Sequence, residues 1–290
     1  MGRCRVYSAE LHQSICLPYS LSLLSRLNDD ALEPQVIYNS FMQVVVNNLL
    51  TEYNLSGSGK TVVLLHGWGD SMTGLDDLRL KLAKSFQVIS LDLPGFGKSQ
   101  TPSSSWGLDD YAKFVDDFLT KLALKADTII GHSNGGAIAI RGLGKGILKS
   151  NRLVLLAASG IRGETNFKIR LIRLVTKSGK FIVSPLPTSI KKRLRQKVYK
   201  ATGSDMLVAE KLQDSFKKII IDDVRADATN IKIPSLILYG REDVATPPKF
   251  GKIFHDLINN SKLEIIDSAG HFIQHDQPEI VFSLISDFIK

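Results

Sequence analysis

Hydrophobic residues come in short blocks from Gln43 onward, and the blocks switch between two periods. Val44, Val45 and Val46, then Leu49 and Leu50, then Tyr53 and Leu55 make a β-rich stretch closing at Gly57-Ser58-Gly59, which predicts a hairpin. Short apolar runs at Thr61 to Leu65, Gln87 to Leu91, Thr128 to Ile130, Leu153 to Leu156, Ser235 to Tyr239 and Leu263 to Ile266 predict strands. Helical spacing fills the intervals, with Leu75, Leu78 and Leu82, then Tyr111, Val115, Phe118, Leu119 and Leu122, a small-residue run from Ser133, and a last helix from Pro278 to Ile289. Brief apolar strands separated by helices need crossover connections, so the predicted fold class is α/β, a mostly parallel central β-sheet with helices on both faces.

Two stretches stand outside this alternation. Residues 1–41 do not join it, and Met42 directly precedes the first strand-like residues, so 1–41 are expected to be a leader that is disordered or not native. The competing reading is an ordered helix over Leu21 to Leu27. After Gly160 the alternation stops for about seventy residues, is replaced by basic, helix-patterned sequence, and resumes at Ser235. That interruption marks an insertion over 162–231, with the core expected in 42–161 and 232–290.

Composition changes this picture little. With 43% hydrophobic and 23% charged residues the chain has the makeup of a soluble globular protein. The net charge of +8 is local, because between Arg162 and Lys200 twelve Lys or Arg face the single acid Glu164, a net of +11 that leaves −3 for the rest. Only Phe167, Phe181 and Tyr199 lie among these cations, too sparse to serve as a row of stacking platforms, so nucleic acid is not an expected partner. If 167–180 is helical, Arg170, Arg173, Lys177 and Lys180 fall on one face and Phe167, Leu171 and Leu174 on another. Such a helix can cover an apolar pocket while meeting solvent, or can associate weakly with an anionic membrane surface. The two cysteines, Cys4 and Cys16, form no disulfide framework or thiolate metal site, and with no legible secretory signal the expected location is cytoplasmic. No apolar run reaches the roughly 18 residues a spanning helix needs.

The chemistry gathers at the strand ends. Gly131-His132-Ser133-Asn134-Gly135 matches GxSxG between an apolar strand and a Gly/Ala-rich helix, the context in which a strained turn presents a nucleophilic serine. The plainer alternative is a glycine-rich helix start with Ser133 only capping. Asp243, in Gly240-Arg241-Glu242-Asp243, follows the strand Ser235 to Tyr239. His271, in Ser268-Ala269-Gly270-His271-Phe272, follows the strand Leu263 to Ile266. A serine hydroxyl is a poor nucleophile at neutral pH unless a base takes its proton, so His271 is expected as the base and Asp243 as the group that orients it. Glu242 and His275 are the nearest rivals. His66-Gly67-Trp68-Gly69 forms a turn at the same sheet edge, and the backbone N–H groups of Trp68 and Asn134 are the expected oxyanion donors. His66 is expected to bond that turn's backbone. No metal and no organic cofactor is needed for this chemistry.

With these motifs in place, the chain from about Gln43 to Lys290 resembles the α/β-hydrolase fold family, in its lid-bearing branch. Asp92-Leu93-Pro94-Gly95-Phe96-Gly97-Lys98-Ser99 resembles that family's turn ahead of the nucleophile strand. The resemblance implies that 162–231 is a helical cap over the site. It also implies hydrolysis of a small-molecule carboxylic ester with a mostly apolar acyl group, through an acyl-serine intermediate. The same resemblance covers carbon-carbon bond hydrolases, acyltransferases, perhydrolase-type cofactor-free enzymes and non-catalytic small-molecule receptors. Serine at 133 disfavours the members that use an aspartate nucleophile, and Asn134 departs from the commoner residues after the nucleophile.

Overall fold

The computed structural model describes residues 41–162 and 212–290. Among them eight strands, β1 (Phe41–Val46), β2 (Leu49–Ser56), β3 (Thr61–Leu65), β4 (Gln87–Leu91), β5 (Thr128–His132), β6 (Arg152–Leu156), β7 (Ser235–Gly240) and β8 (Ser261–Ile266), form one sheet in the order β1-β2-β4-β3-β5-β6-β7-β8. β1 with β2 and β2 with β4 pair antiparallel, and every other neighbouring pair is parallel. The hairpin turns at Asn47 and Asn48, whose φ angles of 50° and 61° suit a tight turn that matches the strand twist, instead of closing at Gly57. β1 takes in Phe41 and Met42, opposite Asn54 and Tyr53, ahead of the expected start at Gln43. β5 runs two residues past its apolar stretch, because Gly131 and His132 keep pairing with Leu155 and Leu156 of β6.

The period-two alternation sorts the strands between two cores. Val63 and Leu65 face one side with Ile129, and there they meet Tyr111, Phe114, Val115 and Phe118 of α2 (Leu108–Lys121), Ile138 and Ile140 of α3 (Asn134–Gly144), and Phe254 of α6 (Pro248–Leu257). Val62, Leu64 and Ile130 face the other side, against Leu78 and Leu82 of α1 (Asp76–Leu82) and Val281 and Ile285 of α8 (Pro278–Ile289). Each such side chain, wholly buried, stabilises the fold by about 1.5 to 3 kcal/mol before entropy is counted. Coverage of both faces leaves the sheet's carboxyl edge as the place for loops.

Of the predicted insertion over 162–231, residues 163–211 lie outside the described residues, as do residues 1–40 of the predicted leader. The described remainder holds two helices, α4 (Gln213–Ile221) and α5 (Arg225–Ala228). It is tied to the core at its base. The Val224 N–H donates to the Gly160 carbonyl at 2.9 Å, and Arg141 of α3 meets Asp222 and Asp227 at 2.7 Å each and Asp109 at 3.2 Å. A guanidinium keeps its charge at this depth, and the surrounding carboxylates offset the cost of taking it out of water. Among the described residues no helix is long and apolar enough to cross a membrane.

Candidate active site

Parallel strands that end at one edge deliver their loops to one place, and four of them converge here. His66, Gly67 and Trp68 follow β3, Ser133 follows β5, Asp243 follows β7 and His271 follows β8, the last within the loop before the short helix α7 (Ile273–Asp276).

Ser133 sits at φ 50°, ψ −113°, a backbone state that costs a residue with a Cβ on the order of 1 to 3 kcal/mol. Hydrogen bonds hold it there. Its N–H donates to the Leu156 carbonyl at 2.9 Å, and its carbonyl accepts from Ser159 N–H at 3.0 Å and Ala137 N–H at 3.2 Å. The turn is closed by absent side chains: a Cβ on Gly131 would stand 2.5 Å from the Gly135 carbonyl oxygen, and one on Gly135 would overlap the Leu65 carbonyl. Glycine at both positions is therefore a requirement of strand–helix approach.

The three predicted side chains meet. His271 Nε2 lies 3.0 Å from Ser133 Oγ, and His271 Nδ1 lies 2.8 Å from Asp243 Oδ2. With Nδ1–H donating to the carboxylate, Nε2 offers its lone pair to the serine O–H, the arrangement general-base chemistry needs. Asp243 is buried, and its Oδ1 accepts N–H groups of Ala245 at 2.8 Å and Thr246 at 2.9 Å. Burial pushes its carboxyl up, but hydrogen bonds from His271 and Thr246 outweigh this and hold it below the usual carboxylate range. The rivals stay out: Glu242 is exposed, and His275 is exposed within α7.

Thr246 is a member of the site that the sequence reading did not include. Its Oγ1 lies 2.7 Å from Asp243 Oδ2, 3.0 Å from His271 Nδ1 and 2.9 Å from the Ala157 carbonyl oxygen. The hydroxyl and the N–H of one residue thus grip both oxygens of the carboxylate. A turn formed by Asp243 on residues two and three ahead is a local signal that could have revealed it.

Neither Trp68 nor Asn134 donates its backbone N–H in a turn or cap hydrogen bond among the described residues, and Asn134 is the first residue of α3, where helix N–H groups are free by geometry. His66 behaves as expected: its Nδ1 lies 2.7 Å from the Gly67 carbonyl, and its Nε2 accepts the Leu93 N–H at 3.0 Å. The Trp68 indole packs edge-on to Phe96 at 4.8 Å and against Phe216 of α4 at 5.3 Å, an aromatic wall beside the turn. Among the described residues the buried carboxamides of Asn134 and Gln274 have no partner on either oxygen or nitrogen, the kind of group that native proteins meet with water or ligand. Among the described residues no three His, Cys, Asp or Glu side chains converge as metal ligands do.

Two buried imidazoles make stability depend on pH. Burial drives His132 down to about 3, helped by repulsion from His271, and burial also lowers His66. Below about pH 6.5 the unfolded chain protonates His132 and the folded chain does not, so the stability this ring contributes is full above that pH and falls as acid is added. His132 removes on the order of 1 kcal/mol per pH unit in that window, and His66 acts in the same direction. Urea midpoints measured at pH 7 and pH 5 are expected to drop clearly at the lower pH; equal midpoints would contradict this account of the two rings.

Comparison with known proteins is consistent with this geometry. Residues 62–284 match the model of a family described as the alpha/beta hydrolase family. Among relatives, the 2-hydroxy-6-oxo-6-(2'-aminophenyl)hexa-2,4-dienoic acid hydrolase of Metapseudomonas resinovorans is 26% identical over 250 residues, 79% of this chain and 83% of that protein. The pimeloyl-[acyl-carrier protein] methyl ester esterase of Neisseria meningitidis is 26% identical over 249 residues, 80% of this chain and 93% of that one. The crystal structure of a bacterial membrane phospholipase A superposes with a TM-score of 0.70 at 21% identity, covering 86% of this chain and 85% of that one, a likeness of fold.

Proposed function

Since the chain belongs to the alpha/beta hydrolase family, we propose that it is a serine hydrolase that cleaves a carboxylic ester with a mostly apolar acyl group. The observation that carries the proposal is the continuous chain Ser133 Oγ, His271, Asp243 at 3.0 and 2.8 Å. Ser133 Oγ attacks the ester carbonyl carbon while His271 Nε2 takes its proton, and the N–H groups of Trp68 and Asn134 receive the charge that develops on oxygen. The tetrahedral intermediate collapses, and the leaving alkoxide departs as the alcohol with the proton from His271. Water then attacks the acyl-serine, giving a proton to His271, and Ser133 regains a proton as the acid is released. Asp243 holds Nδ1–H toward itself and stabilises the imidazolium. The wall of Trp68, Phe96 and Phe216 supports an apolar acyl group.

The test is a panel of p-nitrophenyl esters of rising chain length. Turnover on short or medium chains is expected. A second reading, carbon-carbon cleavage of a ring-cleavage product, is favoured by the likeness to the Metapseudomonas resinovorans enzyme. A 2-hydroxy-6-oxo-hexa-2,4-dienoate turned over while every ester is left intact would replace the first reading with the second. Product analysis with competing alcohols or amines separates hydrolysis from acyl transfer, and absence of any turnover would favour a receptor role.

The same reading includes a cytoplasmic setting and weak attachment to anionic membrane surface, supported by the net +11 between Arg162 and Lys200. At low salt the protein is expected to sediment with phosphatidylserine-containing vesicles and to be released by added salt. Equal sedimentation with neutral vesicles would remove the membrane element.

A further inference from the structure

The variable position of the GxSxG motif is occupied by His132, an imidazole that the proton relay does not use. It is the last residue of β5, two positions after Ile130, so strand alternation sends it to the sheet face that carries α1 and α8 and away from the face that Ile129 shares with α2 and α3. That is the side on which the chain leaves β8 and passes through His271 into α7.

His132 links three loops that arise from three different strands, two through its ring and one through its backbone. Its Nε2 lies 3.0 Å from the His271 carbonyl oxygen, and its ring centroid lies 5.0 Å from that of His271 and 5.2 Å from that of Phe272. On another side it meets the turn after β3, where a Cβ placed on Gly67 would stand 3.0 Å from His132 Nδ1 and 3.3 Å from Ser133 Cβ. Gly67 is next to Trp68. The third loop is its own, since its carbonyl carbon is bonded to the nitrogen of Ser133.

The hydrogen count on this ring is settled by its partners. A carbonyl oxygen only accepts, so Nε2 must carry the hydrogen, and a buried ring that stays neutral carries only one. Nδ1 is then a bare lone pair, buried and without a partner among the described residues, beside Gly67, which has no Cβ to meet it. Elsewhere in the base loop the Ala269 carbonyl accepts from Glu242 N–H at 2.9 Å and the Gly270 N–H donates to Asp276 at 2.7 Å. The donation from His132 anchors the backbone of His271 itself.

We propose that His132 is a positioning residue, a neutral Nε2–H donor whose bond to the His271 carbonyl, with its packing on Gly67, sets the base and the oxyanion turn in register with Ser133. The proposal rests on the hydrolase reading above. Relays of this kind tolerate little error, since a displacement of about 1 Å costs roughly 10²-fold in rate. Asp243 and Ser133 fix the two nitrogens of the His271 ring, and His132 fixes the backbone from which that ring projects.

The test compares His132→Leu, which fills similar space with no donor, with His132→Gln, whose side-chain nitrogen can reach the same carbonyl. On the best p-nitrophenyl ester, His132→Leu is expected to lose roughly 10²-fold in kcat with KM within about twofold of wild type, and His132→Gln to recover most of that loss. Equal losses in the two variants, a wild-type kcat in the leucine variant, or a loss carried by KM would overturn the proposal. Ring nitrogen NMR of the wild-type protein gives an answer that depends on no variant: His132 must be neutral with hydrogen on Nε2 from pH 5 to pH 8. Hydrogen on Nδ1 would remove the donor and with it the idea. A Ser133→Ala variant that kept more than a tenth of the turnover would sink the serine-hydrolase reading, whereas a failure confined to the His132 variants sinks only this one.

Discussion

Ser133→Ala is expected to lower turnover of the best p-nitrophenyl ester by about 10⁴-fold or more while leaving the fold intact. Removing Oγ removes the atom that His271 Nε2 meets at 3.0 Å, so no acyl-serine can form and water must attack the ester directly. The N–H groups of Trp68 and Asn134 would remain, which is why some rate above background should survive. The backbone bonds from Ser133 to Leu156, Ser159 and Ala137 are main-chain bonds that alanine can keep. Alanine at φ 50° carries the same backbone strain as serine, so a melting temperature near wild type is expected alongside the loss of rate. A variant that kept more than a tenth of the activity would mean another nucleophile.

The second large effect is Asp243→Asn, for which a loss of about 10⁴-fold is expected, comparable to the same change in other triads. The reason lies in the partners of the two carboxylate oxygens. Oδ1 receives the N–H groups of Ala245 and Thr246, so an asparagine must keep its oxygen there and turn its NH₂ toward His271. An NH₂ facing Nδ1 makes that nitrogen an acceptor and moves the ring hydrogen to Nε2, where it blocks proton transfer from Ser133. The opposite orientation sets NH₂ against two backbone donors and leaves them without an acceptor, at a cost of about 1 to 3 kcal/mol for each. The measurement is kcat/KM at neutral pH, together with the NMR tautomer of His271. A loss under tenfold with the hydrogen still on Nδ1 would show that the carboxylate is not needed to orient the ring.

Much of the fold was legible because its signals are local. The strands Thr61–Leu65 and Gln87–Leu91 and the helix Pro278–Ile289 have the bounds their hydrophobic patterns predict, since burial on both faces of a parallel sheet favours nearly continuous apolar runs in strands and a one-sided apolar stripe marks a helix. The hairpin was legible as a hairpin. Its turn was not, because Asn47-Asn48 is a weaker signal than the glycines at 57 and 59, which follow β2. His132 reads as polar and so falls outside any apolar pattern, yet the ladder with β6 holds it in the strand.

The sequence by itself determined the order of elements, the strained serine turn, and the candidates at 133, 243 and 271, because periodicity, glycine placement and motif context depend on residues close in the chain. The sequence favoured Asp243 over Glu242, and only the tertiary structure shows which of the two carboxylates meets His271. Adjacent residues point to different places, and the loop after β7 buries the aspartate while leaving the glutamate in solvent. It also brought in Thr246 and the contact between His132 and the His271 carbonyl. Thr246 lies three residues from Asp243, within reach of a local turn signal, but His132 and His271 are 139 positions apart, and what brings them within 3.0 Å is strand pairing and loop packing, which no local pattern encodes.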